Sequence, residues 1–184
     1  MSDKKNKVLE VSTLLFAKYG FEKTSMATIC LEAKVSKGLV YHHFKSKEAI
    51  LIEIFTQTTE KMVELNKSLT PKTNPNAELQ RLIHTLFSQL ETDRLLFQFN
   101  LNLMFQPTTR ALLSDQIKKR ASILFNSVKR IFDQISLERS EVLSYLFIAE
   151  IDGIALNYLS IFENYPLEII KEELIKKYQN DSKI

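Results

Sequence analysis

Side chains that can donate hydrogen bonds to an anion are concentrated in one short stretch, residues 24–47. Its donors are hydroxyls, lysines and two of the three histidines, and they include Thr24, Ser25, Ser36, Lys37, Tyr41, His42, His43 and Lys47. Adjacent residues diverge around a helix, so His42 and His43 cannot easily share a metal. The chain also lacks a Gly-rich phosphate loop, a nucleophile elbow and Cys/His pairs at zinc spacing. We therefore predict no metal site, no cofactor and no enzymatic activity.

Two short helices joined by a tight turn account for the same stretch. The first runs from about Met26 to Ala33, after Thr24 or Ser25 as its N-terminal cap. The second follows Ser36, and its Val40 and Phe44, four residues apart, point back into the core. A helix that exposes small and polar side chains and is supported by two packed helices is the helix-turn-helix arrangement that enters the major groove of DNA.

The first 50 or so residues resemble the DNA-binding signature of the tetracycline-repressor (TetR) family of transcription regulators. The matching positions are Phe16, Gly20, Phe21, Thr24, Ile29, Ala33, residues 35–38 and residues 41–47. One position departs from the family pattern, because Lys34 stands where glycine is common. If Lys34 is left-handed, its side chain costs roughly 1 kcal/mol. The resemblance implies a cytoplasmic, dimeric, ligand-responsive repressor that binds a near-palindromic operator.

The family pattern also implies a role for each residue at the DNA. Lys37 would donate to guanine, Gly38 would permit close approach, and Leu39 would meet a thymine methyl group. The phosphates would be held by Tyr41, His43, Lys47 and either Thr24 or Ser25, together with the amides of the first motif helix. The full predicted set is Thr24, Ser25, Ser36, Lys37, Gly38, Leu39, Tyr41, His42, His43 and Lys47.

Charge and composition support a basic head on a helical body. Residues 1–47 carry a net charge of +5 and the remainder −2, within a total of +3. Only three glycines and four prolines interrupt a chain that is 45% hydrophobic. We expect an all-α fold of about nine helices, with a DNA-binding domain at 1–47 and a ligand-binding and dimerisation domain at 48–184. The single cysteine, Cys30, excludes an internal disulfide and fits a reducing cytoplasm.

Two apolar stretches could be mistaken for a signal peptide or a membrane span. The N-terminal one is interrupted by Glu10, Ser12 and Thr13 and fits an amphipathic helix better than a signal peptide. Residues 145–162 contain Glu150 and Asp152, so a buried helix is preferred to a membrane span.

Aromatic residues beyond position 80 predict a cavity for a small apolar or aromatic effector, bounded by the fifth to eighth helices. A cationic effector is an option if Glu150 or Asp152 faces inward. The predicted lining is Phe87, Phe97, Phe99, Asn100, Phe125, Phe147, Glu150 and Ile151. Simple core filling explains the aromatics equally well. The alternative function is therefore a DNA-binding regulator without a small-molecule inducer, controlled by a protein partner or by abundance.

The last two helices predict a symmetric interface with a second subunit. A face of mostly small residues on one helix and an apolar stripe on the next would form a four-helix contact. The predicted interface residues are Ala149, Gly153, Leu156, Ser160, Leu167, Ile170 and Leu174. The helix that begins after Ser46 is the only evident mechanical link from this region to the DNA-binding head.

Overall fold

A computed structural model describes the backbone of residues 3–68 and 74–180 and, except at 65–68 and 180, their side chains. These residues form ten α-helices and no strand, which confirms the all-α prediction. The helices are α1 Asp3–Tyr19, α2 Met26–Ala33, α3 Lys37–His43, α4 Lys47–Ser68, α5 Pro75–Thr92, α6 Arg94–Phe105, α7 Pro107–Leu112, α8 Ser114–Ile135, α9 Ser140–Leu156 and α10 Leu167–Asn180. A π-helical turn, Asn157–Ile161, extends α9.

The chain folds as two compact units. The first contains residues 1–61 and 98–118, and the second contains residues 62–97 and 119–184. Helices α4, α6 and α8 therefore each contribute residues to both units. The units differ from the predicted domains 1–47 and 48–184, because residues 98–118 group with residues 1–61. As a functional boundary, residue 47 stays a prediction.

The core of the first unit is built on α1. Val8 and Phe16 are buried on one side of this helix. The Phe16 ring lies 5.3 Å from the Phe21 ring and is stacked 6.4 Å from the Phe99 ring. Gly20 ends α1 with a φ of +86°, a left-handed conformation that glycine adopts without a steric penalty. Its amide donates to Phe16 O at 3.0 Å, as in an ordinary helix C-cap.

One predicted helix is divided in the structure. The apolar pattern predicts a continuous helix from about Thr109 to Ile135, but α7 ends at Leu112 and α8 begins at Ser114. Pro107 opens α7, because a proline is favoured in the first turn of a helix. Leu113, between the two helices, is completely buried. This division is the difference between about nine expected helices and ten observed among the described residues.

The second unit has an aromatic cluster that joins its last helices. The rings of Phe132, Phe147 and Tyr178 lie within 6.0 Å of one another in pairs, and all three side chains are buried. The stretch Ser140–Ile161 is long and apolar enough to cross a membrane by length and composition alone. Since its Phe147 packs in this cluster and its Glu150 is paired with α10, we interpret it as a core helix.

Candidate nucleic-acid interface

The N-terminus of α2 faces outward with a serine cap. Ser25 is extended, and its hydroxyl accepts from the Thr28 amide at 3.0 Å. Thr24 is only 3% exposed, and its hydroxyl donates to Gly20 O at 2.9 Å. The predicted phosphate contact of the Thr24 side chain stays a prediction that the structure does not support, since the hydroxyl already satisfies a carbonyl inside the fold. Ser25 remains available for this role.

The turn between α2 and α3 is held by a left-handed lysine. Lys34 has a φ of 55° and a ψ of 40°, and its amide donates to Leu31 O at 3.1 Å. The next residue, Val35, is buried beneath the turn. Lys34 therefore adopts the left-handed conformation that was considered from the sequence. It carries the steric strain that a glycine would avoid.

The outer face of α3 is polar and accessible. Ser36 caps the helix by accepting from the Leu39 amide at 3.4 Å, while Val40 is buried. Lys37 is exposed, and its ammonium lies 5.8 Å from the Tyr41 ring centroid. A Cβ added at Gly38 would meet no atom within 4 Å. Intramolecular packing therefore does not demand a glycine here, and the open space can admit another molecule.

The two histidines of α3 differ in accessibility. His42 is exposed, and its ring lies 5.2 Å from the His43 ring in an edge-on arrangement. The Nε2 atom of His43 is buried, without a hydrogen-bond partner among the described residues. Because this nitrogen is buried, the predicted phosphate contact of His43 would have to use the other ring nitrogen, Nδ1, or a turned ring.

Lys47, at the start of α4, has intramolecular partners. Its ammonium donates to Phe21 O at 2.8 Å and to Glu22 O at 3.4 Å, and it lies 4.3 Å from the Phe21 ring centroid. The residue thus fastens the segment between α1 and α2 to the beginning of α4. Ser46 caps α4 by accepting from the Ala49 amide at 3.3 Å. Hydrogen bonding to the same hydroxyl holds the pKa of Glu48 below its usual value.

A second lysine contact joins α1 to α4. Lys5 donates to a carboxylate oxygen of Glu53 at 2.6 Å, and its ammonium lies 5.6 Å from the Phe44 ring centroid. Sequence reasoning missed both lysine contacts, because their partners are distant in the chain. Together they fasten α1 and the segment that precedes α2 to α4.

The residues predicted to line an effector cavity fall into two groups. Phe99 and Asn100 belong to the first unit, and Phe87, Phe97, Phe125, Phe147, Glu150 and Ile151 to the second. Phe87, Phe99 and Phe147 are buried in packed core. The Glu150 carboxylate accepts from the Lys177 ammonium and, at 3.0 Å, from the Tyr178 hydroxyl. It is therefore committed to α10 rather than free for a cationic ligand. The effector site stays a prediction.

The predicted dimer residues are also divided. Ala149 and Ser160 are exposed, Leu156 and Ile170 are half-buried, and a Cβ at the half-buried Gly153 would meet nothing within 4 Å. Leu167 and Leu174 are buried within their own chain, since α10 packs on α5. Burial within their own chain does not support their assignment to a partner subunit, which stays a prediction. Sequence reasoning missed several exposed apolar side chains: Val142, Tyr145, Leu146, Ile161, Phe162 and Ile169.

Residues 8–54 match the model of the family described as bacterial regulatory proteins, tetR family. A segment of 52 residues is 48% identical to the uncharacterized HTH-type transcriptional regulator YerO of Bacillus subtilis (strain 168). It covers 28% of this chain but only 18% of that regulator. YxaF, another uncharacterized HTH-type regulator of the same strain, is 26% identical over 94% of this chain and 93% of its own length.

Solved structures extend the similarity to nearly the whole chain. A transcriptional regulator (TerR/AcrR family) from Aquifex aeolicus VF5 is 27% identical, with a TM-score of 0.73 over 96% of this chain and 98% of that chain. The regulator FadR from Bacillus subtilis, in complex with stearoyl-CoA, has a TM-score of 0.75 over 93% of this chain and 95% of its own. At 19% identity, this second likeness shows the fold alone.

Proposed function

Because this chain is a transcriptional regulator of the tetR family, we propose that it acts as a cytoplasmic repressor that binds a near-palindromic operator as a homodimer. The observation that carries the proposal is the outer face of α3. Lys37, Gly38 and Tyr41 are exposed there and are not needed for packing, while Val40 anchors the opposite side. To read bases in a major groove, a helix must expose a polar face while its opposite face is buried in the protein.

Residues around α3 would contact phosphates and thereby fix the position of α3 along the duplex. Ser25 and the free amides of α2 can meet one phosphate, since a helix N-terminus attracts anions. Tyr41 can donate its hydroxyl to another phosphate. The +5 charge of residues 1–47 would draw this end of the protein to DNA and make the affinity strongly dependent on salt.

A second copy would provide the second half-site contact. Two recognition helices in successive major grooves lie roughly 34–36 Å apart, and this spacing calls for a two-fold symmetric dimer. The accessible side of α9, with Val142, Leu146, Ala149 and Gly153, offers an apolar face to such a partner. We place the dimer contact on α9 and its π-helical extension rather than on the buried stripe of α10.

A small molecule would release the operator by binding one conformation of the repressor more tightly than the other. That a structural neighbour was solved with stearoyl-CoA supports this class of control. The second candidate is a regulator without a small-molecule inducer. It is favoured by the burial of Phe87 and Phe147 and by the ring contacts of Phe147 with Phe132 and Tyr178, which core packing accounts for.

The test is selection of bound duplexes from a random pool, followed by gel-shift titration at several salt concentrations. Lys37→Ala should relax preference at one base pair by about 1–3 kcal/mol, because a side chain that reads a base edge is lost. Lys61→Ala, which removes an exposed charge far along α4, serves as the control and should leave base preference unchanged. Unaltered preference in Lys37→Ala would show that α3 does not read the operator as assigned.

A further inference from the structure

An open groove lies where α6 ends and α7 begins. Its volume is about 360 Å³, and its walls are Met104, Phe105, Pro107, Arg110, Ala111 and Ser114. All six residues belong to the first unit, which also contains the helix-turn-helix. Phe105 is 68% exposed and Met104 is 42% exposed, in a protein whose other phenylalanines are largely core residues. We propose that this groove is a binding site for a small amphipathic carboxylate.

The composition of the walls points to this chemistry. Met104, Phe105, Pro107 and Ala111 offer an apolar surface for an alkyl or aromatic body, and a methionine adapts its shape to the ligand. Small-molecule sites have volumes of about 300–1,000 Å³ and combine apolar walls with a few polar groups. The groove falls at the lower end of that range, so a ligand with a short chain or a small ring system would suit it.

The polar groups of the groove select an anion. Among the residues that the structure describes, Arg110 is the only charged one in the walls, and its guanidinium can hold a carboxylate through two parallel hydrogen bonds. Ser114 opens α8 and adds a hydroxyl donor near the free amides of that helix. An amphipathic cation would instead meet the charge of Arg110 without an acidic group in the walls to offset it.

The walls of the groove are connected to α1. Leu103 and Phe99 of α6 are buried, and Phe99 stacks on Phe16. The buried Thr109 hydroxyl of α7 donates to Leu103 O at 2.8 Å, which ties the two helices together. The side-chain nitrogen Nε2 of Gln106 lies 3.9 Å from the position that a Cβ on Gly20 would take. A ligand that moves the end of α6 would therefore disturb the support of the helix-turn-helix.

This connection makes α6 a second mechanical link to the DNA-binding head. The sequence had suggested α4 alone, because the packing of α6 on α1 has no local signal. If the proposed function holds, on which this part of the inference rests, an occupied groove changes operator affinity. Occupancy itself does not depend on the proposed function, so the two can be tested separately.

The experiment uses the full chain with ¹³C-methyl-labelled methionine. The chain has four methionines, and Met104 is the one in the groove, so its methyl resonance reports occupancy directly. Titration with sodium decanoate below its micelle concentration should shift the Met104 signal saturably. The signals of Met26 and Met62 serve as internal controls and should stay in place. Decyltrimethylammonium should give no saturable shift.

Two substitutions test whether the charge of Arg110 binds the carboxylate of the ligand. Arg110→Gln should weaken decanoate binding about five- to tenfold, less than a buried charge-assisted hydrogen bond would lose, because water enters the open groove and replaces part of the interaction. Arg81→Gln removes an exposed arginine of α5 as the matched control and should bind like the wild type. Both positions are exposed, so neither change threatens the core. Equal binding by Arg110→Gln, or equal shifts with decanoate and the cation, would overturn the proposal.

Two further outcomes are informative. Met104 shifts that depend on protein concentration without decanoate would mean that a second copy fills the groove, which would also overturn the proposal. In gel shifts with the selected duplex, decanoate should change the affinity of the wild type more than that of Arg110→Gln. Unchanged affinity despite a filled groove would refute the coupling. Saturable decanoate binding by a protein that selects no duplex would instead refute the proposed function alone.

Discussion

Replacement of Lys47 by methionine separates two roles for this residue. Methionine keeps an unbranched apolar side chain but removes the ammonium that donates to Phe21 O at 2.8 Å and Glu22 O at 3.4 Å. If these contacts hold the segment before α2, the variant should lose folding stability. If Lys47 mainly binds a phosphate, the variant should lose DNA affinity and fold normally.

The distances around Lys47 set the size of the expected decrease in the free energy of unfolding. A hydrogen bond from a charged group contributes about 1.5–3 kcal/mol, and a cation over an aromatic ring at an exposed site adds about 0.5–1 kcal/mol. Lys47 is half-buried, and water can replace part of the bond to each carbonyl, so the lower end applies. The longer contact to Glu22 is weak at 3.4 Å. We expect Lys47→Met to lower the free energy of unfolding by about 1–2 kcal/mol.

Urea unfolding followed by circular dichroism measures this loss, and the slope of log affinity against log salt measures the phosphate contact. Lys45→Met, which removes an exposed neighbouring charge, should change stability by less than about 0.5 kcal/mol. Unchanged stability in Lys47→Met, with a salt slope smaller by about 0.9, would refute the structural role and restore a phosphate contact as the main one.

Two other substitutions test local geometry. Lys34→Gly should raise the free energy of unfolding by about 0.5–1 kcal/mol, because relief of left-handed strain exceeds the added freedom of the unfolded chain. Chemical denaturation checks this, with Glu32→Gly, inside α2, expected to destabilise by about 1 kcal/mol. Gly153→Leu should leave the fold intact, since a Cβ at this position would meet nothing within 4 Å outside its own helix backbone, but should block the proposed dimer. Sedimentation of a folded dimeric variant would contradict the α9 interface.

Local interactions are what the sequence determined by itself. Ser36 before α3, Ser46 before α4 and Gly20 after α1 act as helix caps, each at a helix end that its residue type favours. Each uses partners within four residues, so residue type and spacing suffice to identify it. The division of buried and exposed faces on α3 follows from the helical period in the same way.

Only the tertiary structure decided which of two chemically similar groups is available. Thr24 and Ser25 are both good caps by type, but only Thr24 has its hydroxyl buried against Gly20 O. The stripe of α10 is apolar in either role, and its packing on α5 turns Leu174 inward. Lys47 meets carbonyls about 25 residues earlier in the chain. Contacts between distant residues depend on how helices pack, and no local pattern encodes them.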